Sequence, residues 1–274
     1  MPVDLDAAVI ANTRLSDEYH VLSLAAPEIA ERTAPGQFVM VKPGRGVEPL
    51  LRRPFSVFEI LRNAQGAPVG ISILSKRIGV GTGLLYGLEP GDRLACLGPL
   101  GRPFTTAPAD RPVWFVAGGV GLAPFATMAE ACLARGIRPR LFYGARRAGD
   151  LYYADWFRDR AVEVVVATED GSAGTKGFVT APLGAALEAE SGASPFIYCC
   201  GPTPMMRAVA TLAAAKGHHD VEVSLEQQMG CGLGGCYSCV VRVKRDGAPP
   251  HFVRSCIAGP TFRAAEVVWE ELAH

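Results

Sequence analysis

The architecture of this 274-residue chain is most readily derived from one segment, Val113-Trp114-Phe115-Val116-Ala117-Gly118-Gly119-Val120-Gly121-Leu122-Ala123-Pro124. Its first part is a continuous apolar run, as expected of a strand that is buried on both faces. A glycine-rich turn follows, and Pro124 suits the first turn of a helix that we expect to stop near Gly136. A buried strand, a glycine turn and a helix form the start of a βαβ unit, so the segment predicts a parallel sheet covered by helices.

The chain on either side of this segment follows two different patterns. After it, strands and helices alternate, and we expect strands over 140–143, 162–167 and 196–199 and helices over 181–190 and 204–216. Before it, apolar and β-branched stretches at 37–41, 54–60, 69–74 and 93–97 are separated by Gly and Pro turns. Several short strands without long helices predict a small antiparallel barrel.

Composition restricts the functional classes. Lysine plus arginine and aspartate plus glutamate number 27 each, so net charge gives no case for nucleic acid or an anionic membrane as partner. No apolar run approaches the roughly 20 residues that span a bilayer. No N-terminal stretch has the basic start and apolar core of a signal peptide, so we expect a soluble, cytoplasmic protein. In such a protein, eight cysteines are better explained by metal or redox duty than by disulfides.

Four of the cysteines have the spacing of an iron–sulfur ligand set. Four residues separate Cys231 from Cys236, two separate Cys236 from Cys239, and 16 separate Cys239 from Cys256. Plant-type ferredoxins hold a 2Fe–2S cluster with this arrangement. The intervening glycines allow tight turns that present backbone N–H groups to the sulfurs. A four-cysteine zinc site is the alternative, although such sites usually pair their ligands as two short Cys-x2–4-Cys clips.

Two segments of the first hundred residues favour a flavin. Arg53-Pro54-Phe55-Ser56 begins an expected strand, where an arginine can pair with pyrophosphate, an aromatic ring can cover a flavin face and a hydroxyl can bond to a ring atom. Alternation sends Arg53 and Phe55 one way and Ser56 the other. The second segment, Gly79-Val80-Gly81-Thr82-Gly83, can form a backbone nest for phosphate. Either segment alone is more often an ordinary strand start or turn, but their pairing favours the flavin.

Two strand-to-helix turns predict a nucleotide site. The first carries Gly118, Gly119, Gly121 and Pro124, and lets backbone approach a pyrophosphate at a helix start, although a plain tight turn is the alternative. The second is Cys200-Gly201-Pro202. Turns at the carboxyl ends of strands in one open sheet flank a single crevice, and 168–172 can join the same rim. Cys200 is either a buried structural thiol or a neighbour of the nicotinamide.

The order of these motifs resembles the ferredoxin–NADP reductase superfamily. The run 224–270, with Leu225-Glu226, Met229, the four cysteines and Gly259-Pro260-Thr261-Phe262, closely resembles the electron-transfer subunits of NAD-dependent dihydroorotate dehydrogenase. Motifs and resemblance together predict an α+β multidomain protein. We expect an antiparallel β-barrel FAD domain over 1–104, an α/β parallel-sheet NAD-binding domain over 105–222 and a small C-terminal 2Fe–2S cluster domain over 223–274.

The resemblance also implies a set of cofactor contacts. It assigns the four cysteines to the 2Fe–2S cluster and favours NAD(H) as the nucleotide of the two strand-to-helix turns. FAD is assigned to Arg53, Pro54, Phe55, Ser56, Leu74, Ser75, Lys76, Gly81 and Thr82. The stretch between the last two cysteines is longer than expected and carries Asp246-Gly247-Ala248-Pro249-Pro250, which predicts a hairpin turn extended by prolines. Arg146 and Arg147 leave NADP open as the nucleotide, because guanidinium groups can accept a 2′-phosphate.

The implied function is electron transfer between subunits. The resemblance implies a separate FMN-containing dihydroorotate dehydrogenase catalytic subunit as partner, with two copies of each chain. Electrons would pass from its FMN to the cluster, to FAD and then as hydride to NAD⁺, a step that requires no general acid or base. Two alternatives remain. One is a diaphorase-type NAD(P)H reductase subunit of a hydrogenase, sulfide reductase or ferredoxin transhydrogenase complex. The other is a zinc-stapled nucleotide-binding regulator without catalysis.

Overall fold

The first hundred residues form a curled antiparallel sheet in a computed structural model that describes residues 1–44, 46, 48–190, 192–245 and 247–272. The strands are β1 (Val3–Arg14), β2 (Tyr19–Ala25), β3 (Phe38–Val41), β4 (Arg53–Ser56), β5 (Glu59–Arg62), β6 (Pro68–Lys76) and β7 (Arg93–Leu100). Their order is β4-β3-β7-β1-β2-β6-β5. Two short helices, α1 (Pro27–Ala30) and α2 (Val80–Tyr86), lie between strands. Within the described ranges no ladder joins β4 to β5, so the expected barrel is seen as a curled sheet.

The single strand expected over 54–60 is divided into β4 and β5. Val57 N–H donates to the Gln37 carbonyl, next to β3, whereas Phe58 N–H donates to the Ser72 carbonyl of β6. The chain therefore passes from one edge of the curled sheet to the other between these two residues. Both side chains are buried, which holds the crossing in place.

A second sheet carries the alternating strands and helices. Its parallel strands are β8 (Val113–Gly118), β9 (Arg140–Ala145), β10 (Glu163–Thr168), β11 (Thr175–Lys176), β12 (Phe196–Cys200) and β13 (Val221–Ser224), in the order β11-β10-β9-β8-β12-β13. The helices are α3 (Pro124–Leu133), α4 (Ala154–Arg158), α5 (Thr180–Ala189) and α6 (Thr203–Ala215). From β8 the chain continues through β9 and β10 to β11 on one side of the sheet. It then crosses to β12, which lies on the other side of β8. The strand order thus reverses at β8, which is where open α/β sheets bind ligands.

The C-terminal segment is joined to the second sheet. It contains the strands β14 (Val240–Val243) and β15 (His251–Arg254), the short helix α7 (Ser255–Ala258) and the strand β16 (Thr261–Arg263). Strand β16 pairs antiparallel with β13. Val241, Val243 and Phe262 are buried in the same hydrophobic core as Val116 and Ile197. The segment therefore has more apolar support than its length suggested, and β13 lies across the expected boundary between 222 and 223.

The hairpin expected between the last two cysteines is present. Strands β14 and β15 pair in antiparallel register, with Val240 opposite Arg254 and Val243 opposite His251. Residue 246, which is part of the predicted turn, lies outside the described residues.

The two sheets share one apolar core. Val21, Phe58 and Leu74 of the first sheet pack in one cluster with Phe115 and Phe125 of the second. This packing places the end of β6 beside the strand-to-helix turns of the second sheet. No helix within the described ranges is both long and apolar enough to cross a bilayer.

Candidate functional site

The two strand-to-helix turns lie directly against each other. A Cβ atom built on Gly121 would lie 2.3 Å from the Cys200 carbonyl oxygen and 2.6 Å from Gly201 Cα. One built on Gly201 would lie 3.0 Å from the Gly118 backbone nitrogen, and Gly201 has a φ of +152°. Only glycine permits this contact, because the opposing atoms belong to rigid backbone. The glycines thus serve the packing of the two turns as well as the approach of a ligand.

A crevice of about 850 Å³ opens at these turns. Of the predicted nucleotide residues, Gly118, Gly119 and Pro202 line it, and Lys76 from the predicted flavin set lines its opposite side. Gly121 and Gly201 form the turn-to-turn contact instead, and Pro124 is buried at the start of α3. The crevice therefore lies between the end of β6 and the point where the strand order of the second sheet reverses.

Cys200 lies at the end of β12 and is only 3% exposed. Burial raises the pKa of its thiol well above the usual value, and the nearby Glu226 carboxylate raises it further. Ser224, opposite it on β13, donates a hydrogen bond to the sulfur. The thiol is consequently protonated at neutral pH, and its burial is as expected of the first alternative, a structural thiol.

The rim of the crevice carries both positive and negative charge. Arg146, Arg147, Asp150 and Glu169 line it, and the Arg147 guanidinium is 3.4 Å from the Asp150 carboxylate. Asp170 receives hydrogen bonds from Ser172 that lower the pKa of its carboxyl. Arginines and carboxylates are thus interleaved along this rim, so its charge alone does not select NAD or NADP.

Arg53 lies beside the start of α2. A Cβ atom on Gly81 would be 3.6 Å from Arg53 Nε and 3.3 Å from Pro43 Cγ, so the bare glycine leaves room next to the guanidinium. The Thr82 hydroxyl instead accepts hydrogen bonds from the Ile78 and Gly79 amides, at 2.9 and 3.1 Å, and closes the turn. The Arg53 guanidinium donates to the Leu51 and Arg52 carbonyls, and it is the cationic group at this turn that can pair with a phosphate.

The strand β4 presents its predicted residues to two different faces. Arg53 and Phe55 lie opposite Val41 and Val39 of β3, and the Phe55 ring packs on the core of the first sheet. Pro54 and Ser56 lie opposite Met40 and Phe38. The expected alternation is seen, and Phe55 is half-buried where it packs against this core. The Ser56 hydroxyl has no hydrogen-bond partner among the described residues and remains available.

The segment 74–76 is also divided between faces. Leu74 packs in the core shared by the two sheets, whereas Lys76 Nζ stands 5.1 Å from the Tyr19 ring at the crevice. Ser75 is 2% exposed, and its hydroxyl is a buried oxygen without a partner, as is Nε2 of His20 directly opposite it on β2. Orphaned buried polar atoms are expected beside a ligand or an ordered water.

The cluster loop packs against the first sheet. A Cβ atom on Gly232, whose φ is +72°, would lie 2.6 Å from Met40 Cγ and 3.1 Å from Leu100 Cδ1. Met40 belongs to the sheet face that also presents Pro54 and Ser56. Cys239 and Cys256 are buried with Phe38, Met40 and Leu100 in one hydrophobic cluster. The fold thus brings the predicted iron ligands against the predicted flavin face.

The four thiols form two pairs. Hydrogen bonds from Ser238 and then from Cys231 lower the pKa of the Cys236 thiol to about 6, whereas burial and then contact with Cys239 raise the pKa of the Cys256 thiol to about 12. The first pair is the more exposed and the second is buried. Backbone amides reach both pairs: Leu233 N–H is 3.3 Å from Cys231 Sγ, and Cys256 N–H is 3.5 Å from Cys239 Sγ.

This arrangement fits a 2Fe–2S cluster better than zinc. Each iron of such a cluster takes two thiolates, as two separate pairs provide. Zinc in a structural site requires four ligands around one ion.

Large apolar side chains are exposed around the outer thiol pair. We define the cluster-domain patch as Leu233, Tyr237, Val240, Phe252 and Ile257, which are 39–64% exposed. The Arg254 guanidinium lies 4.8 Å from the Tyr237 ring and donates to the Gly234 carbonyl at 2.6 Å, which fixes the loop to β15. Large exposed apolar side chains concentrated in one loop and one hairpin favour an interaction site. Its residues were not predicted individually, because nothing in the local sequence separates them from core positions.

Comparison with protein families identifies two parts of the chain. Residues 226–268 match the iron–sulfur cluster binding domain of dihydroorotate dehydrogenase B, a stretch that contains all four predicted ligands. Residues 115–211 match the oxidoreductase NAD-binding domain.

Similar proteins cover almost the whole chain. The chain is 37% identical over 268 residues to "Dihydroorotate dehydrogenase B (NAD(+)), electron transfer subunit" of Desulforamulus reducens, covering 97% of this chain and 98% of that protein. The protein of the same name from Geobacillus kaustophilus is 38% identical over 262 residues, with 94% and 96% covered. Among solved structures, the NADH-dependent reduced ferredoxin-NADP oxidoreductase, described for flavin-based electron bifurcation, matches with a TM-score of 0.81 and 27% identity over 97% of this chain and 91% of that one. The chain therefore belongs to the family of dihydroorotate dehydrogenase B electron transfer subunits.

Proposed function

We propose that this chain passes electrons from a dihydroorotate-oxidising catalytic subunit through a 2Fe–2S cluster and FAD to NAD⁺. The observation that carries the proposal is the position of the cluster loop. Its Gly232 contacts Met40, on the sheet face that presents Ser56, while the outer thiol pair reaches the surface. A cluster at this position would connect the exposed thiol pair, Cys231 and Cys236, with the sheet face that carries Ser56.

The cluster is assigned to Cys231, Cys236, Cys239 and Cys256. The bound cluster exchanges single electrons, whereas the chain's own groups set its surroundings. The Leu233 and Cys256 amides and the Ser238 hydroxyl lie within 3.5 Å of sulfur atoms, and such contacts stabilise thiolate charge. Two thiol pairs, backbone hydrogen-bond donors and the buried apolar residues next to Cys239 and Cys256 fit a 2Fe–2S cluster.

FAD is assigned to the first sheet, and it converts single electrons into hydride when bound. Arg53 beside Gly81 would hold pyrophosphate, and Ser56 would bond the flavin ring on the face toward the cluster loop. Lys76 would lie at the crevice end of the flavin site. The other residues of the predicted flavin set act indirectly. Phe55 and Leu74 pack in the neighbouring cores, Ser75 is buried, and the Thr82 hydroxyl closes the turn before α2.

NAD(H) is assigned to the crevice at the two strand-to-helix turns. Three of the predicted residues line it: Gly118, Gly119 and Pro202. The other four hold the two turns together or are buried next to them: Gly121, Gly201, Cys200 and Pro124. The work of these residues is to hold the nicotinamide against the flavin and to keep water out. We retain NAD over NADP because the relatives are named for NAD(+).

The cluster-domain patch is the proposed contact with the catalytic subunit. It includes Tyr237, which follows Cys236, the most exposed of the predicted ligands. Electron transfer requires the two redox centres to approach closely, so a partner must cover this edge. The FMN content of the partner and the assembly from two copies of each chain remain predictions from the resemblance.

A tagged form of this chain, purified natively with its partner, tests the function. Dihydroorotate-dependent NAD⁺ reduction is the expected result. In the complex carrying Cys236→Ser, that reaction should fall at least a hundredfold, while NADH still reduces the bound FAD at close to the wild-type rate. A wild-type complex that contains flavin and iron, ignores dihydroorotate and reduces dyes with NADH would instead indicate a diaphorase-type reductase.

A further inference from the structure

The crevice contains a carboxyl group that the hydride step leaves unexplained. Glu226 follows β13 on the segment that leads into the cluster loop, and it lines the crevice with Lys76 and Met205. Within the described ranges its carboxyl makes no hydrogen bond or ion pair. Of the three other carboxylates that line the crevice, Glu18 is 3.4 Å from Lys76 Nζ and Asp150 is 3.4 Å from Arg147 Nε, while Glu169 follows β10 at the rim that carries Arg146.

The proposed electron route requires one proton that the cluster does not supply. Two electrons arrive through the cluster, which carries no proton, and they leave together on NADH as a hydride. A hydride contains two electrons and one proton. One proton must therefore enter from solvent in every turnover, after electron arrival and before NADH departs.

Glu226 has the position and the acidity for this task. Its side chain is exposed within the crevice, so solvent and a bound cofactor can both reach it. Desolvation by the crevice walls raises the pKa of its carboxyl, although part of the side chain is open to the crevice, and the acid therefore holds its proton nearer to neutral pH. The neighbouring Cys200 thiol is buried and holds its proton far more tightly.

We propose that Glu226 is the proton donor of the crevice. In each turnover its carboxyl O–H bond breaks, the proton passes to a ring nitrogen of the flavin as the two electrons arrive, and the carboxylate takes a new proton from solvent. The transferred proton leaves within the hydride that NAD⁺ accepts, so charge and atoms balance. This inference rests on the proposed function, with the partner's substrate as reductant.

The test compares two half-reactions of the holo-complex by stopped-flow absorbance of the flavin. Reduction by NADH brings its own proton, so Glu226→Gln should leave its rate within about twofold of wild type. Reduction through the cluster requires the separate proton, so Glu226→Gln should slow it at least tenfold, and Glu226→Asp should recover part of the rate. The control, Glu89→Gln, removes an exposed carboxylate that pairs with Arg14 at 3.2 Å and should change neither.

Redox-difference infrared spectroscopy gives a readout that is independent of turnover. The wild-type complex should show a carboxyl C=O band that changes when the flavin is reduced, and Glu226→Gln should lack it. Equal slowing of both half-reactions with FAD still bound would overturn the proposal in favour of nicotinamide positioning. Wild-type behaviour in both half-reactions, or persistence of the band in Glu226→Gln, would also overturn it.

The design separates this inference from the proposed function. A photochemical one-electron reductant feeds the cluster without dihydroorotate. If dihydroorotate does not reduce the wild-type flavin but this reductant does, the assigned electron donor is wrong. The Glu226 variants can then still be compared with wild type by using this reductant.

Discussion

At the scale of single residues, the glycines of the crevice have a stricter role than the sequence could reveal. The motif predicted backbone approach to a pyrophosphate. The structure shows in addition that Gly121 fits against the Cys200 carbonyl of the neighbouring turn. That contact joins residues far apart in the chain, so no local pattern could have predicted it.

Substitution of Gly121 should therefore affect stability as well as nucleotide binding. The Cβ of Gly121→Ala would lie 2.3 Å from a backbone oxygen that cannot move independently, and we expect a loss of about 1–3 kcal/mol in the free energy of unfolding. Gly149→Ala is the matched control in the same sheet region, since a Cβ there meets no atom within 4 Å. Urea denaturation of both variants checks this, and equal stabilities would contradict it.

His20 should make stability depend on pH. Its Nδ1 lies 2.7 Å from Asn12 Oδ1, and because the Asn12 amide nitrogen donates to three carbonyls of the α2 region, the ring must donate from Nδ1. Nε2 is then the buried site without a partner. Burial, and secondarily Arg14, lower the pKa of His20 to about 4.

The sign of the effect follows from that lowered pKa. The unfolded chain binds the proton near its ordinary pKa of about 6.5, so the stability difference is fully present above that pH and is lost as the pH falls toward 4. We expect wild type to lose up to about 3 kcal/mol more than His20→Gln between pH 7 and 4. Urea titrations at several pH values measure this, and parallel curves for the two proteins would refute it.

At the scale of elements, the chain divides into parts that the sequence predicted well and parts that it did not. Strands β8, β9, β10 and β12 and helices α3, α5 and α6 were expected within a few residues, because continuous apolar runs and proline–glycine boundaries mark them. The β1–β2 hairpin was missed, because β1 mixes charged, polar and apolar residues and β2 carries His20 and Ser23 among apolar ones. Helix α2 was expected as a phosphate-binding nest, since its glycines conceal its helical character.

The same division applies to the candidate site. The cysteine spacing predicted the ligand set, and alternation along β4 predicted that Ser56 would face away from Phe55. Which face meets the cluster loop depends on the contact of Gly232 with Met40, and the place of Glu226 in the crevice depends on how the two sheets pack. Both are long-range packing results that residue spacing does not encode.

The β14–β15 hairpin offers an element-level test of partner binding. Phe252 is 64% exposed on β15 and lies 5.8 Å from the Arg242 guanidinium, so it contributes apolar area without supporting the core. Phe252→Ser should weaken binding of the catalytic subunit about tenfold or more, with iron and flavin contents unchanged. Ile10→Ser, which alters a residue 45% exposed on β1, is the control. Equal affinities of the two variants, measured by titration calorimetry, would place the contact elsewhere.

At the scale of the whole molecule, the C-terminal segment is part of the second sheet rather than a separate appendage. Strand β16 pairs with β13, and Lys244 N–H donates to the Glu266 carbonyl at 2.7 Å. Val243, Phe262 and Val267 of this segment are buried in the core of the second sheet, whereas Cys239 and Cys256 are buried in a different cluster with Met40 and Leu100. We therefore expect the cluster to stabilise the loop 230–239 more than it stabilises the rest of the C-terminal segment.

Removal of iron should show this difference directly. After chelation under reducing conditions, amide hydrogen exchange should accelerate strongly across 230–239, where glycines and thiols provide little other support. Exchange in β13 and β16 should change less than tenfold, because their ladder and core persist. Loss of protection throughout 221–272 would show instead that the metal centre holds the entire segment.

The uneven burial of the four thiols leaves the unassembled chain open to oxidants on one side. Cys236 lies at the surface, whereas Cys239 and Cys256 are 2% and 1% exposed behind the apolar wall. Peroxide can reach the outer sulfur without any opening of the fold, and exposed thiolates are the first to be oxidised. A partner seated on the surrounding patch would exclude such molecules. Assembly would then protect the metal centre from air, and the chain should retain its iron longer when it is produced together with its partner than when it is produced alone.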